Sequence, residues 1–406
     1  MPTLNATSVP RFSTVILKLT SFCNLNCSYC YMFNLGDRTF ERMPRYMPVE
    51  TAVTAVDRLA TQARSRQASK INVVLHGGEP TLWPINNFVQ LLEGIRAIRC
   101  AGIAVEVSLQ TNGYHIDRNL VDLLMEHDVM LGFSLDGPAR YNDEFRVTHS
   151  GSGSYTKVVD TVNRVVDWGY DLRRLGALCV INPKIDPKEF LDWACGAPVR
   201  NINVLWPIEF SWSRPPWHAG DEKAYVSNPA YGRWMASAFE KWWNEYVDQL
   251  SVLTFYDTIA RMMGSHTHND SIGNDYIDMF VVNCGGNIEY PDYLRAQLDG
   301  GAASGHFIGN TTLDELSRDK VFDTLLTLRK HLPAICKECR HADVCGGGFI
   351  AGRSDAMGFR ADRRSVLCYD HLFYFDAVNR IVAPYIMAMI SVQNDSEKSL
   401  PLQARA

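Results

Sequence analysis

Through the first half of the chain, short apolar runs alternate with longer stretches of helical period. Val15-Ile16-Leu17-Lys18-Leu19 reads as a strand, a helix follows from about Val49 to Ala68, and Ile71 to Leu75 reads as a second strand. A helix near Phe88 to Ile98 then precedes a strand at Ile103 to Leu109, and one near Leu120 to Met125 precedes Met130 to Leu135. A helix near Tyr155 to Val166 precedes Leu175 to Val180, and a last unit runs from about Pro187 to Trp193 into Ile202 to Trp206. Six strands separated by crossover helices imply a parallel sheet, because parallel neighbours need a long connection. Periodicity does not say whether that sheet is open or curled. In a barrel the site belongs at the strand C-terminal ends, which is where the polar motifs of this half fall.

From about Phe210 the rhythm changes, with Pro215-Pro216 interrupting an aromatic-rich stretch that holds Trp206, Trp212 and Trp217. A helix is expected near Tyr231 to Leu250, where Phe239, Trp242, Trp243, Tyr246 and Leu250 form a stripe that reads as packing surface. A hairpin-like segment at Met279 to Tyr290, a helix near Leu313 to Leu332, a Cys- and Gly-rich loop and a final helix near Tyr369 to Met389 complete the reading.

Composition narrows the class. The 406 residues are 46% hydrophobic and 21% charged, the balance of a folded globular chain. A formal charge of -5 without long runs of either sign argues against a dedicated nucleic-acid binder. The apolar stretch Ile381 to Val392 contains Pro384 and is shorter than the roughly 20 residues of a membrane span. Met1 to Phe12 lack the basic and apolar regions of a secretion signal, so a cytoplasmic protein without membrane contact is expected. Eleven cysteines, an odd and sparse set, are thiols for metal, redox chemistry or burial, not a disulfide scaffold.

Cys23, Cys27 and Cys30 stand at x3 and x2 spacing in the loop leaving the first strand, so three thiolates can converge on one ion or cluster. A closed zinc site needs a fourth ligand, and no His lies nearby in sequence. With Tyr29 just before the third cysteine, the segment resembles the signature of the radical S-adenosylmethionine (SAM) superfamily. The resemblance implies an enzyme with a partial (β/α)6 TIM-like barrel of α/β class. A 4Fe-4S cluster on the three cysteines would chelate SAM and cleave it to a 5'-deoxyadenosyl radical that takes hydrogen from an unactivated carbon. An external one-electron donor of flavodoxin or ferredoxin type is then implied.

The other polar motifs match this family. His76-Gly77-Gly78-Glu79-Pro80 resembles its motif for the SAM amino group, and Thr111-Asn112-Gly113 a turn near the cosubstrate. Ser134-Leu135-Asp136-Gly137-Pro138, Arg146 and Gly151 to Tyr155 resemble the sulfatase-maturase and peptide-maturase branch, in which the residues matching Ser134 and Arg146 hold the SAM carboxylate. Asn182 is placed toward the adenosine. The resemblance runs over about residues 13 to 210.

Cys336, Cys339, Cys345 and Cys368 supply four more thiolates, which on their own suit a zinc ribbon nearly as well as a cluster. Behind such a barrel they resemble the SPASM extension and match the ligands of its outer auxiliary 4Fe-4S cluster. Two positions depart from that family. Phe349 stands where its next cysteine would be, and no cysteine follows Pro291, while Cys284 falls on a hairpin turn. The inner auxiliary cluster is therefore expected to be absent, giving two clusters. Asp292 replaces the missing cysteine, matches the general base of sulfatase maturases, or is a turn residue. Cys100, Cys179 and Cys195 are expected to be buried structural thiols.

The expected domains are a barrel over 1–210, a helical linker over 211–275 and a SPASM-like unit over 276–406. The leading function is oxidative crosslinking or other modification of a ribosomally made peptide. The alternative is dehydrogenation, epimerisation or rearrangement of a small metabolite such as a sugar, aminocyclitol or amino acid. Few residues precede the first strand, so leader recognition is assigned to a separate protein or to the body of the chain.

Overall fold

The computed structural model describes residues 12–398 except 268 and 274. Residues 1–11, where no secretion signal is expected, lie outside the described residues. Six parallel strands carry the first half: β1 (Thr14–Lys18), β2 (Lys70–His76), β3 (Ala104–Thr111), β4 (Val129–Ser134), β5 (Leu175–Val180) and β6 (Asn201–Leu205). They pair in sequence order, with α1 (Val49–Ser65), α2 (Ile85–Cys100), α3 (Arg118–Glu126), α4 (Ala139–Phe145), α5 (Tyr155–Asp167) and α6 (Pro187–Gly196) as crossovers. This is the α/β partial barrel the sequence predicts. Along β2 and β4, alternate residues are buried, and α5 buries Val158, Thr161, Val162 and Val165 on one stripe. Asp186 opens α6 by accepting hydrogen bonds from the Lys188 and Glu189 amides, with Pro187 in the first turn.

The sheet continues past residue 210. β7 (Ser251–Val252) joins β6 in parallel, and β8 (Met279–Val282) joins the other side of β1, also in parallel. β9 (Asn287–Glu289) and β10 (Ala303–Phe307) then add antiparallel strands, giving the order β10-β9-β8-β1-β2-β3-β4-β5-β6-β7. The hairpin therefore completes the wall of the barrel next to the first cysteine loop.

Two helices differ from expectation. The stretch near Tyr231 to Leu250 is α-helical only to Lys241 and continues as a π-helical turn over Trp242–Tyr246. Phe239, Trp242, Tyr246 and Leu250 are buried, so the stripe is core. The stretch near Leu313 to Leu332 is broken into Leu313–Leu316, Lys320–Leu326 and a short turn at Leu328–His331. The reason is a cap within it: the Thr312–Glu315 capping box opens the first piece, and Asp319 accepts from the Val321 and Phe322 amides to start a second helix. The long helix Cys368–Lys398 packs along Ala230–Lys241. Among the described residues, no helix is long and apolar enough to cross a membrane.

Candidate active site

The six strand ends converge on one rim. Lys18 on β1 is paired in register with His76 on β2, and the first cysteine loop leaves the sheet just above them. That loop is stitched on two sides. Gly78 and Glu79 donate backbone hydrogen bonds to Thr20 and Phe22 at 2.9 and 3.0 Å, while Asn26 and Ser28 donate to Val147 and Phe145 at 2.7 and 3.0 Å. Gly77 has φ +146°, and a Cβ there would meet the Thr20 backbone at 2.8 Å. The two glycines thus let the second strand's turn lie flat on the cysteine loop.

Side chains fix the thiols. Asn112 Nδ2 donates to Cys23 Sγ at 3.3 Å and to Asn24 at 2.7 Å. Burial pushes the Cys23 thiol up to about 12, helped by the Glu79 charge, and the Cys30 thiol up to about 11, helped by Cys27. A bound cation or cluster is what would favour their thiolates. Among the described residues, no three thiols of either cysteine set come within 4.8 Å of one another, whereas Glu93, Glu126 and His127 bring their ligand atoms that close. The Glu93, Glu126 and His127 group already surrounds the Arg96 guanidinium.

Glu79 is 1% exposed, and its carboxylate accepts from the Thr81 amide and hydroxyl, the Thr111 hydroxyl and the Asn112 amide. A carboxylate has about four acceptor positions, two per oxygen, so at most Oε2 keeps room for an amino group. The main part of Glu79 is to hold the Thr111-Asn112-Gly113 turn. Tyr29, just before the third cysteine, is tied down in the same way. Its hydroxyl donates to Asp136 and accepts from Arg146 Nη1 at 2.8 Å, so it orients Arg146. Asp136 in turn accepts from the Val180 amide at 2.9 Å, joining the ends of β4 and β5.

What remains free points to a ligand. Arg146 Nε and Asn182 Nδ2 are buried without a partner among the described residues. Ser134 Oγ, at the end of β4, accepts from Gln110 at 2.9 Å. These are the three residues expected at the SAM carboxylate and adenosine, and buried donors of this kind require partners. The Gly151 to Tyr155 segment is structural: Asp143 accepts from the Ser154 and Tyr155 amides at 2.9 Å, opening α5.

Asp292 opens the short 3-10 turn Asp292–Ala296, and its carboxylate is already engaged. It is buried at the rim, ion-paired with Lys18, and accepts from the Tyr31 hydroxyl at 2.6 Å. Burial would raise its pKa, but the Lys18 charge overcomes that and holds it well below the carboxylate range. In this arrangement the Asp292 carboxylate holds Lys18 and the Tyr31 hydroxyl in place at the rim. Phe349 packs against Tyr293 with ring centroids 4.8 Å apart and ring planes inclined at 60°. Cys284 is buried and its thiol donates to the Lys18 carbonyl at 2.9 Å, away from both cysteine sets. Lys18 is the residue sequence reasoning missed, although a lysine within an apolar strand was its signal.

The second cysteine set assembles at the other end. Cys336 lies within the helix Ala334–Lys337 and Cys339 just past its end, Cys345 ends Ala342–Cys345, and Cys368 starts the last helix. Gly346, Gly347 and Gly348 all have positive φ, from 61° to 88°, which turns the chain back after Cys345. Burial pushes Cys345 up, reinforced by Cys368, Cys336 and Cys339 beside it. Of the spare thiols, Cys179 is buried and Cys195 half-buried, but Cys100 is exposed because it ends α2 on the solvent side.

Comparison with known proteins places this geometry. Residues 17–194 match the family model described as the Radical SAM superfamily. A serine-type anaerobic sulfatase-maturating enzyme from Bacteroides thetaiotaomicron is 22% identical over 381 residues, 90% of this chain and 87% of that one. The solved structure of anSMEcpe with bound AdoMet and Cp18Cys peptide superposes with a TM-score of 0.74 at 20% identity, over 94% of this chain and 99% of that one. SuiB of Streptococcus suis, bound to precursor peptide SuiA, gives a TM-score of 0.55 at 13% identity, over 88% and 76%. With three thiols on the rim, donors left free for a cosubstrate and this kinship along the chain, the protein is an enzyme that carries a radical SAM domain over residues 17–194, is similar along its length to the anaerobic sulfatase-maturating enzymes, and uses a 4Fe-4S cluster and SAM.

Proposed function

We propose that the enzyme oxidises a peptide at an unactivated side-chain carbon, with one SAM-site cluster on Cys23, Cys27 and Cys30 and one auxiliary cluster on Cys336, Cys339, Cys345 and Cys368. The observation that carries the chemistry is a three-thiol loop at the rim together with Arg146 Nε and Asn182 Nδ2, which have no partner among the described residues. The peptide is supported by the relatives, named for maturing sulfatases, and by the peptides bound in the solved structures.

When bound, the cluster and SAM supply the electron and the radical that removes hydrogen. The chain's residues do the rest. Arg146, turned by Tyr29 and Asp136, presents a fork to a carboxylate, and Ser134 adds a hydroxyl. Asn112 orients Cys23, while Asn182 offers an amide donor at the rim. Lys18, Tyr31 and Asp292 form a closed wall on the side of β8. The electron enters from an external flavodoxin- or ferredoxin-type donor.

Anaerobic reconstitution followed by mass spectrometry tests this reading. About eight irons per chain, 5'-deoxyadenosine on adding SAM and reductant, and a peptide lighter by two hydrogens are expected. Zinc without iron and no SAM cleavage would overturn the cluster assignment. Turnover of a sugar, aminocyclitol or amino acid while candidate peptides stay unchanged would overturn the peptide.

A further inference from the structure

We infer that Arg353, with Arg364 beside it, is the fixed counter-charge of the auxiliary cluster and holds its reduction potential up. This rests on the reading of Cys336, Cys339, Cys345 and Cys368 as cluster ligands. Arg353 ends the short turn Ile350–Arg353 and is wholly buried. Its Nε donates to the Arg363 carbonyl at 2.8 Å and its Nη2 to the Ala361 carbonyl. Nη1 has no partner.

Among the described residues, no carboxylate forms an ion pair with Arg353. Asp362, the one acid acting on it, is exposed and bonded to Arg360 at 2.9 Å. A buried guanidinium without an anion is costly, and two carbonyls supply dipoles but no charge. The other groups acting on it are the thiols of Cys336 and Cys345. A Cβ on Gly347 would lie 3.2 Å from Nη1, so this glycine keeps the space in front of the free donor open. Arg364 completes the setting from the last helix's side. Its Nη1 lies 4.0 Å from Cys368 Sγ, and its guanidinium is 5.0 Å from the Tyr369 ring centroid and 5.9 Å from that of Trp212.

Four thiolates around four irons carry net negative charge, and one more electron makes the centre more negative. A fixed cation in a low-dielectric surround stabilises the reduced state more than the oxidised one, which raises the potential. The couple takes one electron and no proton, because the guanidinium stays charged in both states. With no inner cluster expected between barrel and auxiliary site, the chain needs this one centre to accept electrons readily.

The test is an anaerobic redox titration of the full, iron-loaded chain, following by electron paramagnetic resonance the signal that SAM does not perturb. Arg353→Gln should keep about eight irons and shift the oxidised-to-reduced ratio at fixed potential about tenfold toward oxidised, a midpoint about 59 mV lower. Arg353→Lys should restore the unsubstituted midpoint. If Arg353→Gln loses the auxiliary irons while Arg353→Lys keeps them at the unsubstituted midpoint, charge is again the requirement and the inference stands. An unchanged midpoint in loaded Arg353→Gln, or an Arg353→Lys that behaves like Arg353→Gln, overturns it. About four irons in the unsubstituted chain, all lost with Cys27→Ala, would remove the auxiliary-cluster reading itself, and this inference with it.

Discussion

Cys23, Cys27 and Cys30 sit among carboxylates, with Glu79 and Asp136 close by and Arg146 between, whereas Cys336, Cys345 and Cys368 face the guanidiniums of Arg353 and Arg364. The first loop is laced to strand ends by backbone hydrogen bonds and leaves donors free on one side. The second is folded on itself by three glycines and offers four thiols. An open site in an acidic surround disfavours extra electrons and suits a centre that must give one away. A site enclosed by cations favours a centre that must take one up.

The sharpest way to break this contrast is to remove one thiol from each loop. Cys27→Ala should abolish 5'-deoxyadenosine formation and leave about four irons, while Cys345→Ala should also leave about four but retain SAM cleavage. Iron analysis and product chromatography decide it, and equal loss of cleavage in both variants would erase the distinction.

A second test concerns the support of the first loop. Arg295 is buried between Asp37, at 2.5 Å, and Glu289, also at 2.5 Å, tying the loop's exit to the β9 hairpin. Arg295→Ala leaves two buried carboxylates unpaired and should cost about 3–5 kcal/mol. Anaerobic denaturant titration measures it. A loss of under about 1 kcal/mol would mean water reaches that site.

Arg146→Lys comes next. It keeps the charge but loses the fork and the geometry set by Tyr29, so SAM should bind roughly 10–100-fold more weakly with iron content unchanged. Equilibrium dialysis gives the ratio, and unaltered affinity would detach Arg146 from the cosubstrate.

The smallest effect lies beside the second loop. His371 is buried against Trp206, with neither ring nitrogen bonded, and burial lowers its pKa to about 3. Its folded pKa is below the unfolded value of about 6.5, so as pH falls below that value the unfolded chain takes the proton first and stability drops. His371→Phe should therefore lose about 1.4 kcal/mol less than the unsubstituted chain between pH 7.5 and 5.5, by denaturant titration at both values. Parallel curves would show that His371 stays neutral in both states.

Local pattern made the strands, crossovers and cysteine loops legible, since each depends on neighbours in sequence. It misled at Leu313 to Leu332, where helical periodicity hid the internal cap at Asp319, and at Cys100, whose helix face cannot be read from one residue. The rest is long-range. Lys18 meets Asp292 across 274 positions, and Tyr29 meets Asp136 across 107, so no spacing rule joins them. The free Nη1 of Arg353 depends on carbonyls at Ala361 and Arg363 that only the folded loop brings round.

The pairing of β8 with β1 also sets an order of events in the cell. The first strand leaves the ribosome early, but its outer neighbour is made about 260 residues later. At roughly 5–20 residues per second, the edge of β1 waits tens of seconds for its partner. During that interval Lys18 has no Asp292, and the three rim thiols hang from an unfinished wall. Iron delivered too early would meet a half-built barrel, so assembly of the rim is a late step of biosynthesis.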